Sequence, residues 1–168
     1  MTIESRSMNS RTGRAKQPFA NQLTHESGYN EAGERLVAGV VPLNNSKTQV
    51  LLVRSTERSG WILPKGGWEM DESITEAAQR EAWEEAGIIC TVDYDLGQIK
   101  DNRPPKHMAT VPTKAMYQFY EVTVTREESV WPEGHKRARK WASYAEAKID
   151  LTHRPELVEA LERSTIRK

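Results

Sequence analysis

The hydrophobic and polar positions of the chain predict strands and helices in an irregular order. Apolar, β-branched residues fill 35–43 and 49–55, and the polar Asn-Asn-Ser-Lys segment between them is a turn signal that predicts a hairpin. Further strands are expected at residues 61–63, 88–100, 114–126 and 140–142, and terminal helices at 144–151 and 155–164. This order predicts an α/β fold with a mixed or largely antiparallel sheet.

One helix, residues 74–86, is marked at both ends. Ser73 and Glu76 have the spacing of a capping box, in which each side chain bonds the backbone of the other residue. Gly87 supplies a stop signal, because glycine readily adopts the left-handed conformation that ends many helices.

The inward face of this predicted helix carries charge. At about 100° per residue, Ala77 and Ala78 lie on the same side as Glu81, Glu84 and Glu85. A solvated acidic face would lie opposite the small apolar residues, and an isolated Glu-x-x-Glu-Glu run is usually of that kind. Neighbouring carboxylates that face inward repel one another unless a cation neutralises them, and Mg²⁺ binds a few carboxylates together with phosphate oxygens. The face therefore favours a metal site.

The length and composition of the chain are typical of one folded domain, and its net charge is zero. Of the 168 residues, 37% are hydrophobic and 29% are charged, and the formal net charge is zero. Such a chain has no general attraction to polyanions, and its apolar runs are too short to span a bilayer. We therefore expect neither a stable nucleic-acid partner nor a membrane.

The first 33 residues differ from the rest of the chain in composition. Residues 1–33 are polar and lack periodicity, which predicts a mostly disordered arm before a single domain at residues 34–166. This arm has no apolar segment typical of a secretory signal, and Cys90 is the only cysteine. These features predict a cytoplasmic protein, with the nucleus as a further location.

The glutamates belong to a longer motif. Gly66 and Gly67 permit close backbone approach to a phosphate or metal, and Lys65 adds a cation beside them. The full series is G66-x5-E72-x7-R80-E81-A82-x-E84-E85-x-G87-I88, which fills every position of the Nudix box. The chain therefore resembles a Nudix hydrolase. This resemblance implies the Nudix fold, an α/β/α sandwich around a mixed β-sheet.

Segments outside the motif narrow the resemblance. Residues similar to those of diphosphoinositol polyphosphate phosphohydrolases occur at 35–39, 61–69, 103–106, 135–140 and 154–161. The similarity is greatest to the fungal members, which are also known as diadenosine polyphosphate hydrolases.

The resemblance implies roles for the motif residues. Glu81 and Glu85, together with the backbone carbonyl of Gly66, would bind Mg²⁺ or Mn²⁺. Glu84 would act as the general base on the attacking water, but the sequence leaves open how Glu84 and Glu85 divide the catalytic role.

The resemblance also implies a supporting ion pair and a substrate site. Arg80 would pair with Glu72 and hold the glycine-rich loop against the helix. The substrate-binding candidates are mostly cations, as a polyphosphate ligand requires. They are Arg35, Ser55, Lys65, Gly67, Arg103, Lys106, Arg137 and Arg154.

The activity implied is Mg²⁺-dependent removal of the β-phosphate of diphosphoinositol polyphosphates, a small-molecule substrate. Cleavage of diadenosine penta- and hexaphosphates and of inorganic polyphosphate would be further activities. One alternative is a nucleotide-directed Nudix hydrolase for ADP-ribose, diadenosine tetraphosphate or capped RNA, which would use an aromatic clamp that the sequence does not show. Another is a non-catalytic inositol pyrophosphate sensor, which the complete set of motif glutamates disfavours. The sequence gives no oligomeric state.

Overall fold

Among the residues that the structure describes, a seven-stranded sheet forms the centre of the fold. The computed structural model describes residues 34–57, 59–69, 71–101 and 115–168. In chain order the strands are β1 (Arg35–Leu43), β2 (Val50–Arg54), β3 (Trp61–Ile62), β4 (Lys65–Gly67), β5 (Ile88–Lys100), β6 (Ala115–Glu127) and β7 (Arg139–Ala142). The helices are α1 (Ile74–Ala86), α2 (Tyr144–Asp150) and α3 (Pro155–Arg163).

Strand β1 is the central strand. The order is β3-β2-β1-β6-β5, with β4 also paired to β1 and β7 to β2. Strand β6 runs parallel to β1, whereas the other pairs are antiparallel. Every residue of β1 after Arg35 is buried, which explains why this segment is continuously apolar in the sequence. The sheet is mixed and helices pack on it, so the expected α/β/α sandwich is confirmed.

Helix α1 begins and ends at its predicted capping residues. Ser73 Oγ accepts a hydrogen bond from Glu76 N at 3.2 Å, and the Glu76 carboxylate accepts one from Ser73 N at 2.7 Å. Gly87 ends the helix with a φ of 67°, in the left-handed region. The hairpin of β1 and β2, the later strands and the terminal helices also lie where the sequence predicts them, to within about two residues.

Strand β4 differs from the expectation. The sequence predicts a glycine-rich turn at Gly66 and Gly67, but these residues pair with Ala38 and Val37 of β1. Gly66 also lies against α1, where an added Cβ would be 2.2 Å from the Glu81 carboxylate. The local pattern does not reveal this strand, because both of its contacts are with distant segments.

Glu121 links strand β6 of the sheet to Thr165, near the C-terminal end of the chain. Its side chain on β6 is fully buried and accepts hydrogen bonds from Lys47 Nζ at 2.6 Å, Thr165 N at 2.7 Å and Thr165 Oγ1 at 2.6 Å. Burial acts to raise the pKa of Glu121, but these hydrogen bonds outweigh it and hold the pKa below its ordinary value. A charged Glu121 therefore stabilises the folded state.

This contribution is expected to be lost in acid. Because the folded-state pKa of Glu121 lies below its unfolded value, its stabilisation is present above the unfolded pKa and disappears as the pH falls through the folded one. We expect Glu121→Gln to lower the free energy of unfolding by about 2 kcal/mol at pH 7. Urea unfolding at pH 7, and at the lowest pH where the protein stays folded, measures the difference.

The half-exposed Glu159 provides the control for this experiment. Its ion pair with Arg163 lies on the surface of α3, so Glu159→Gln should change stability by less than about 0.5 kcal/mol at either pH. An effect of Glu121→Gln that does not shrink in acid would contradict the prediction.

Candidate active site

Most of the sequence-predicted site residues line one cavity of about 420 Å³. Its walls include the motif residues Gly66, Arg80, Glu81, Glu84 and Glu85. They also include the substrate candidates Arg35, Ser55, Lys65, Gly67, Arg137 and Arg154. Glu72 is not among the lining residues but contacts Arg80, and Arg103 and Lys106 lie outside the described residues.

Strand register builds the sheet side of this cavity. Arg35 and Val37 of β1 pair with Ala115 and Tyr117 of β6. Residues paired in this way present their side chains on the same face of a sheet, and all four line the cavity. A one-residue shift between β1 and β6 would turn these side chains to the opposite face.

Helix α1 supplies an acidic wall opposite the sheet. Glu81, Glu84 and Glu85 are 8%, 3% and 7% exposed, so the inward carboxylate face predicted from their spacing is confirmed. They lie in the C-terminal half of α1, where the helix dipole disfavours negative charge, and its last turn contains no basic residue. Positive charge from outside the last turn must therefore compensate for their charge.

Arg80 provides part of this compensation. Its Nε and Nη2 donate to the two oxygens of Glu72 at 2.9 and 2.6 Å, and Nη2 also donates to the carbonyl of Gly67 at 2.9 Å. Its Nη1 donates to Glu81 at 2.9 Å and lies 3.5 Å from Glu84. One guanidinium thus joins β4, the following loop and α1.

The loop between β6 and β7 closes the end of α1. The last carbonyls of the helix, at residues 84–86, accept hydrogen bonds from Glu133 N at 3.1 Å, Trp131 Nε1 at 3.0 Å and Arg139 Nη1 at 2.7 Å. These carbonyls have no partner within the helix itself. The loop is therefore docked on the helix end that carries the glutamates.

Arg137 reaches the acidic wall from the same loop. Its Nη2 lies 3.4 Å from Glu85, its Nε donates to Glu133 at 2.7 Å, and its Nη1 donates to the Arg54 carbonyl at 2.7 Å. The other oxygen of Glu85 accepts the backbone N–H of Lys65 at 3.2 Å. Both carboxylate oxygens of Glu85 are thus oriented by neighbours.

The arginines do not fully offset the burial of the glutamates. Burial raises the pKa of Glu81 to about 7, with Arg80 opposing the rise and Glu84 adding to it. Burial also raises the pKa of Glu85 well above its ordinary value, and the neighbouring Glu81 adds to this effect. A further positive charge near these two carboxylates would favour their ionised forms.

The donor set fits a magnesium ion. Among the described residues, no group of three or more His, Cys, Asp or Glu side chains has an arrangement that could hold a metal. Mg²⁺ does not need one, because it binds one or two carboxylates and fills its other positions with water and phosphate. Glu81, Glu85 and the carbonyl of Gly66 offer hard oxygen donors, and the missing side chain at Gly66 leaves room for the Glu81 carboxylate.

A second part of the wall is cationic. Arg154 donates to Glu156 at 2.6 Å and to the hydroxyl of Tyr117 at 3.1 Å, and Lys65 lies over the Tyr117 ring. The cationic candidates for substrate binding are therefore not all isolated side chains. Six cationic and seven acidic side chains line the cavity among the described residues, so the cations do not outnumber the acids.

Sequence reasoning missed Tyr117, Glu133 and Asp101, which also line this cavity. Glu133 had a detectable signal, because it lies four residues before Arg137 and the two side chains pair. Tyr117 had none, since an aromatic residue in an apolar strand has the pattern of core packing. Asp101 closely precedes residues outside the described part of the chain.

The chain belongs to the Nudix family, since the family model described as NUDIX domain matches residues 33–163. It is 40% identical to Nudix hydrolase 21, chloroplastic, of Arabidopsis thaliana, over 80% of this chain and 68% of that protein. It is 34% identical to Nudix hydrolase 16, mitochondrial, of the same plant, over 90% of this chain and 84% of the relative. It is also 35% identical to diphosphoinositol polyphosphate phosphohydrolase 3-alpha of Homo sapiens, over 68% of each chain.

Solved structures agree with the fold. A NUDIX hydrolase from Nitrosomonas europaea superposes with a TM-score of 0.66 over 77% of this chain and 87% of that one, at 18% identity. The Nudix fold and the hydrolase class expected from the sequence are confirmed. The fungal branch stays a prediction.

The expected location is corrected by these relatives. The sequence predicts a cytoplasmic protein with the nucleus as a further location, but the names of close relatives specify chloroplasts and mitochondria. That prediction is wrong, because a single cysteine and a polar first segment do not distinguish the cytoplasm from the interior of an organelle. Within the part of the chain that the structure describes, no helix has the length and apolarity to cross a membrane.

Loss of the Arg80 guanidinium is expected to destabilise the protein. Lysine keeps the charge but cannot reach Glu72, Gly67 and Glu81 together, so buried carboxylate oxygens lose donors. We expect Arg80→Lys to lower the free energy of unfolding by about 3 kcal/mol in denaturant titrations. Arg126→Lys, at an exposed ion pair with Glu128, should change it by less than about 0.5 kcal/mol. Equal effects of the two substitutions would contradict this role of Arg80.

The raised pKa of Glu81 predicts that chelator-treated protein loses stability as the pH rises. The folded state favours protonated Glu81 up to about pH 7, whereas the unfolded state ionises near its ordinary pKa of 4.5. The resulting loss, complete above the folded pKa, is on the order of 3 kcal/mol. Mg²⁺ should therefore raise the melting temperature more at pH 8 than at pH 6.

Glu81→Gln is the matched variant for this measurement. It removes the titrating group while keeping a side chain of nearly the same size, so the chelator-treated variant should lose less stability between pH 6 and pH 8. If the melting temperature of the chelator-treated wild type rose between pH 6 and pH 8, this result would contradict the raised pKa of Glu81.

Proposed function

We propose that the protein removes the β-phosphate of diphosphoinositol polyphosphates in a Mg²⁺-dependent reaction, and that it belongs to the diphosphoinositol-polyphosphate diphosphatase type, close to its fungal members. Diadenosine penta- and hexaphosphates and inorganic polyphosphate are the proposed further substrates. The observation that carries this proposal is that one cavity is lined both by three buried glutamates of α1 and by a group of cations that includes Arg35, Lys65 and Arg154. The name of the human relative supports it, since that protein is a diphosphoinositol polyphosphate phosphohydrolase.

The acidic wall is the proposed metal and catalytic side. Glu81, Glu85 and the carbonyl of Gly66 would hold Mg²⁺ or Mn²⁺. When bound, the ion supplies Lewis-acid chemistry, with positive charge for the phosphate oxygens and a more acidic attacking water. Both oxygens of Glu85 are already oriented, one by Lys65 N and one by Arg137, which suits a fixed ligand.

Glu84 is the proposed general base. It accepts the proton of the attacking water, and its backbone is fixed by the hydrogen bond from Glu133 N to the Glu84 carbonyl. Arg80 Nη1 lies 3.5 Å from the Glu84 carboxylate and places a positive charge beside it. Arg80 and Glu72 support this side chain rather than contact the substrate.

The cationic wall is the proposed binding side for the remaining phosphates. Arg35, Lys65 and Arg154 line it, with Ser55, Gly67 and Arg137 beside them, and Arg103 and Lys106 are proposed to add to it. Arginine binds phosphate through two N–H groups and lysine as a point charge. A compact ring that carries several phosphates can contact many of these groups at once.

The cavity offers little to a nucleotide base. Among its described lining residues Tyr117 is the only aromatic one, and it is 3% exposed, with Phe119 stacked on it and Lys65 over its ring. Recognition of a base by stacking needs an accessible ring face. This feature favours an inositol pyrophosphate over ADP-ribose or capped RNA.

Parallel Mg²⁺ assays test the proposed substrate. Diphosphoinositol pentakisphosphate should give the highest kcat/KM, diadenosine hexaphosphate should come next, and ADP-ribose and capped RNA should be at least about tenfold poorer. Glu84→Gln and Glu85→Gln should each lower kcat by a factor of about 10² or more, because they remove a proton acceptor or a metal ligand. Glu159→Gln, on the outer surface of α3, should leave kcat unchanged.

Each alternative has its own outcome in this assay. A much higher kcat/KM with ADP-ribose or capped RNA would reject the proposed substrate in favour of a nucleotide. Tight binding of the inositol pyrophosphate without release of phosphate would indicate a sensor. Full activity in both glutamate variants would reject the assignment of the site.

A further inference from the structure

Tyr117 lies at the base of the cationic wall in a fixed position. Its ring stacks on that of Phe119, with centroids 5.9 Å apart and planes at 28°. Phe119 in turn lies over Gly39 of β1, where an added Cβ would be 2.6 Å from the Phe119 ring and 2.9 Å from Lys65 Cβ. The absence of a side chain at Gly39 therefore lets Phe119 and Lys65 lie next to each other beneath the cavity.

Arg154 is held from two sides. Its Nη2 donates to the Tyr117 hydroxyl at 3.1 Å, and its Nε donates to Glu156 at 2.6 Å. The Glu156 side chain is 1% exposed and that of Arg154 is 12% exposed. A guanidinium has five N–H donors, and these two contacts leave others for a ligand in the cavity.

Lys65 shares the same two neighbours. Its Nζ lies 5.9 Å from the centroid of the Tyr117 ring, and Glu156 and Glu85 attract its charge while Arg154 repels it. Two cations are thus held close together. The ring of Tyr117 and the carboxylate of Glu156 offset the repulsion that would otherwise separate them.

We infer that Tyr117 and Glu156 are positioning residues that hold Lys65 and Arg154 as a preformed clamp for a multiply phosphorylated substrate. This inference rests on the proposed function, and it identifies two residues that determine the affinity for the proposed substrate. A cation already held in its binding orientation loses less conformational freedom when phosphate arrives. Tyr117 and Glu156 therefore affect substrate affinity and not the chemical step.

Tyr117→Phe is the most selective test. It removes the hydroxyl that orients Arg154 but keeps the ring under Lys65 and the stack on Phe119. We expect roughly tenfold weaker binding of inositol hexakisphosphate by calorimetry and a similar rise in KM for diphosphoinositol pentakisphosphate, with kcat within about twofold. Glu156→Gln, which retains an acceptor for Arg154 but loses its charge, should raise KM by a smaller factor.

Tyr144→Phe is the matched control. The Tyr144 hydroxyl also bonds a charged group, Glu162 at 2.6 Å, but Tyr144 and Glu162 lie on α2 and α3 outside the cavity lining. Its loss should leave affinity and KM unchanged. If Tyr117→Phe binds as the wild type does, or loses kcat and not affinity, the inference is overturned.

A second ligand separates the inference from the proposed function. Inorganic tripolyphosphate carries several phosphates without an inositol ring, so it probes the clamp alone. Wild-type binding of tripolyphosphate but not of inositol hexakisphosphate would reject the proposed substrate, and Tyr117→Phe would then decide the inference on tripolyphosphate. Absence of wild-type binding to both ligands would overturn the inference too.

Discussion

The burial of three glutamates at the C-terminal end of α1 is the constraint on which the rest of the structure depends. Glu81, Glu84 and Glu85 are almost fully removed from water at the helix end whose dipole repels negative charge. Burial raises the pKa of Glu81 and of Glu85, so the site stores an unfavourable arrangement of like charges. A stable fold must therefore place positive charge and hydrogen-bond donors beside these carboxylates.

Arg80 of the helix itself and a loop that is distant in sequence meet this requirement. Arg80 spans from α1 to Glu72 and to the carbonyl of Gly67, and the loop between β6 and β7 brings Arg137 and caps the last carbonyls of the helix. The same contacts that neutralise the carboxylates also fix their orientation. Structural support and site geometry thus depend on the same side chains, as in many active sites where local stability is reduced for function.

A second group of residues in the cavity shows the same principle with the charges reversed. Lys65 and Arg154 repel each other, and Tyr117 and Glu156 hold them in place. The cavity is consequently neither a simple acidic nor a simple basic pocket. Side chains of both charges therefore line one cavity, which explains why the net charge of the whole chain carries no information about this lining.

The sequence alone determined the elements and the chemistry whose signals are local. The capping box of Ser73, the stop at Gly87 and the carboxylate face of α1 all follow from spacings of one to four residues, which a helix converts directly into geometry. Only the tertiary structure decided that Gly66 and Gly67 form a strand beside β1, that Tyr117 lies under Lys65, and that the loop at Glu133 closes the helix. Each of these depends on strand register or on docking between segments far apart in the chain, and no local pattern encodes which distant residue will be the partner.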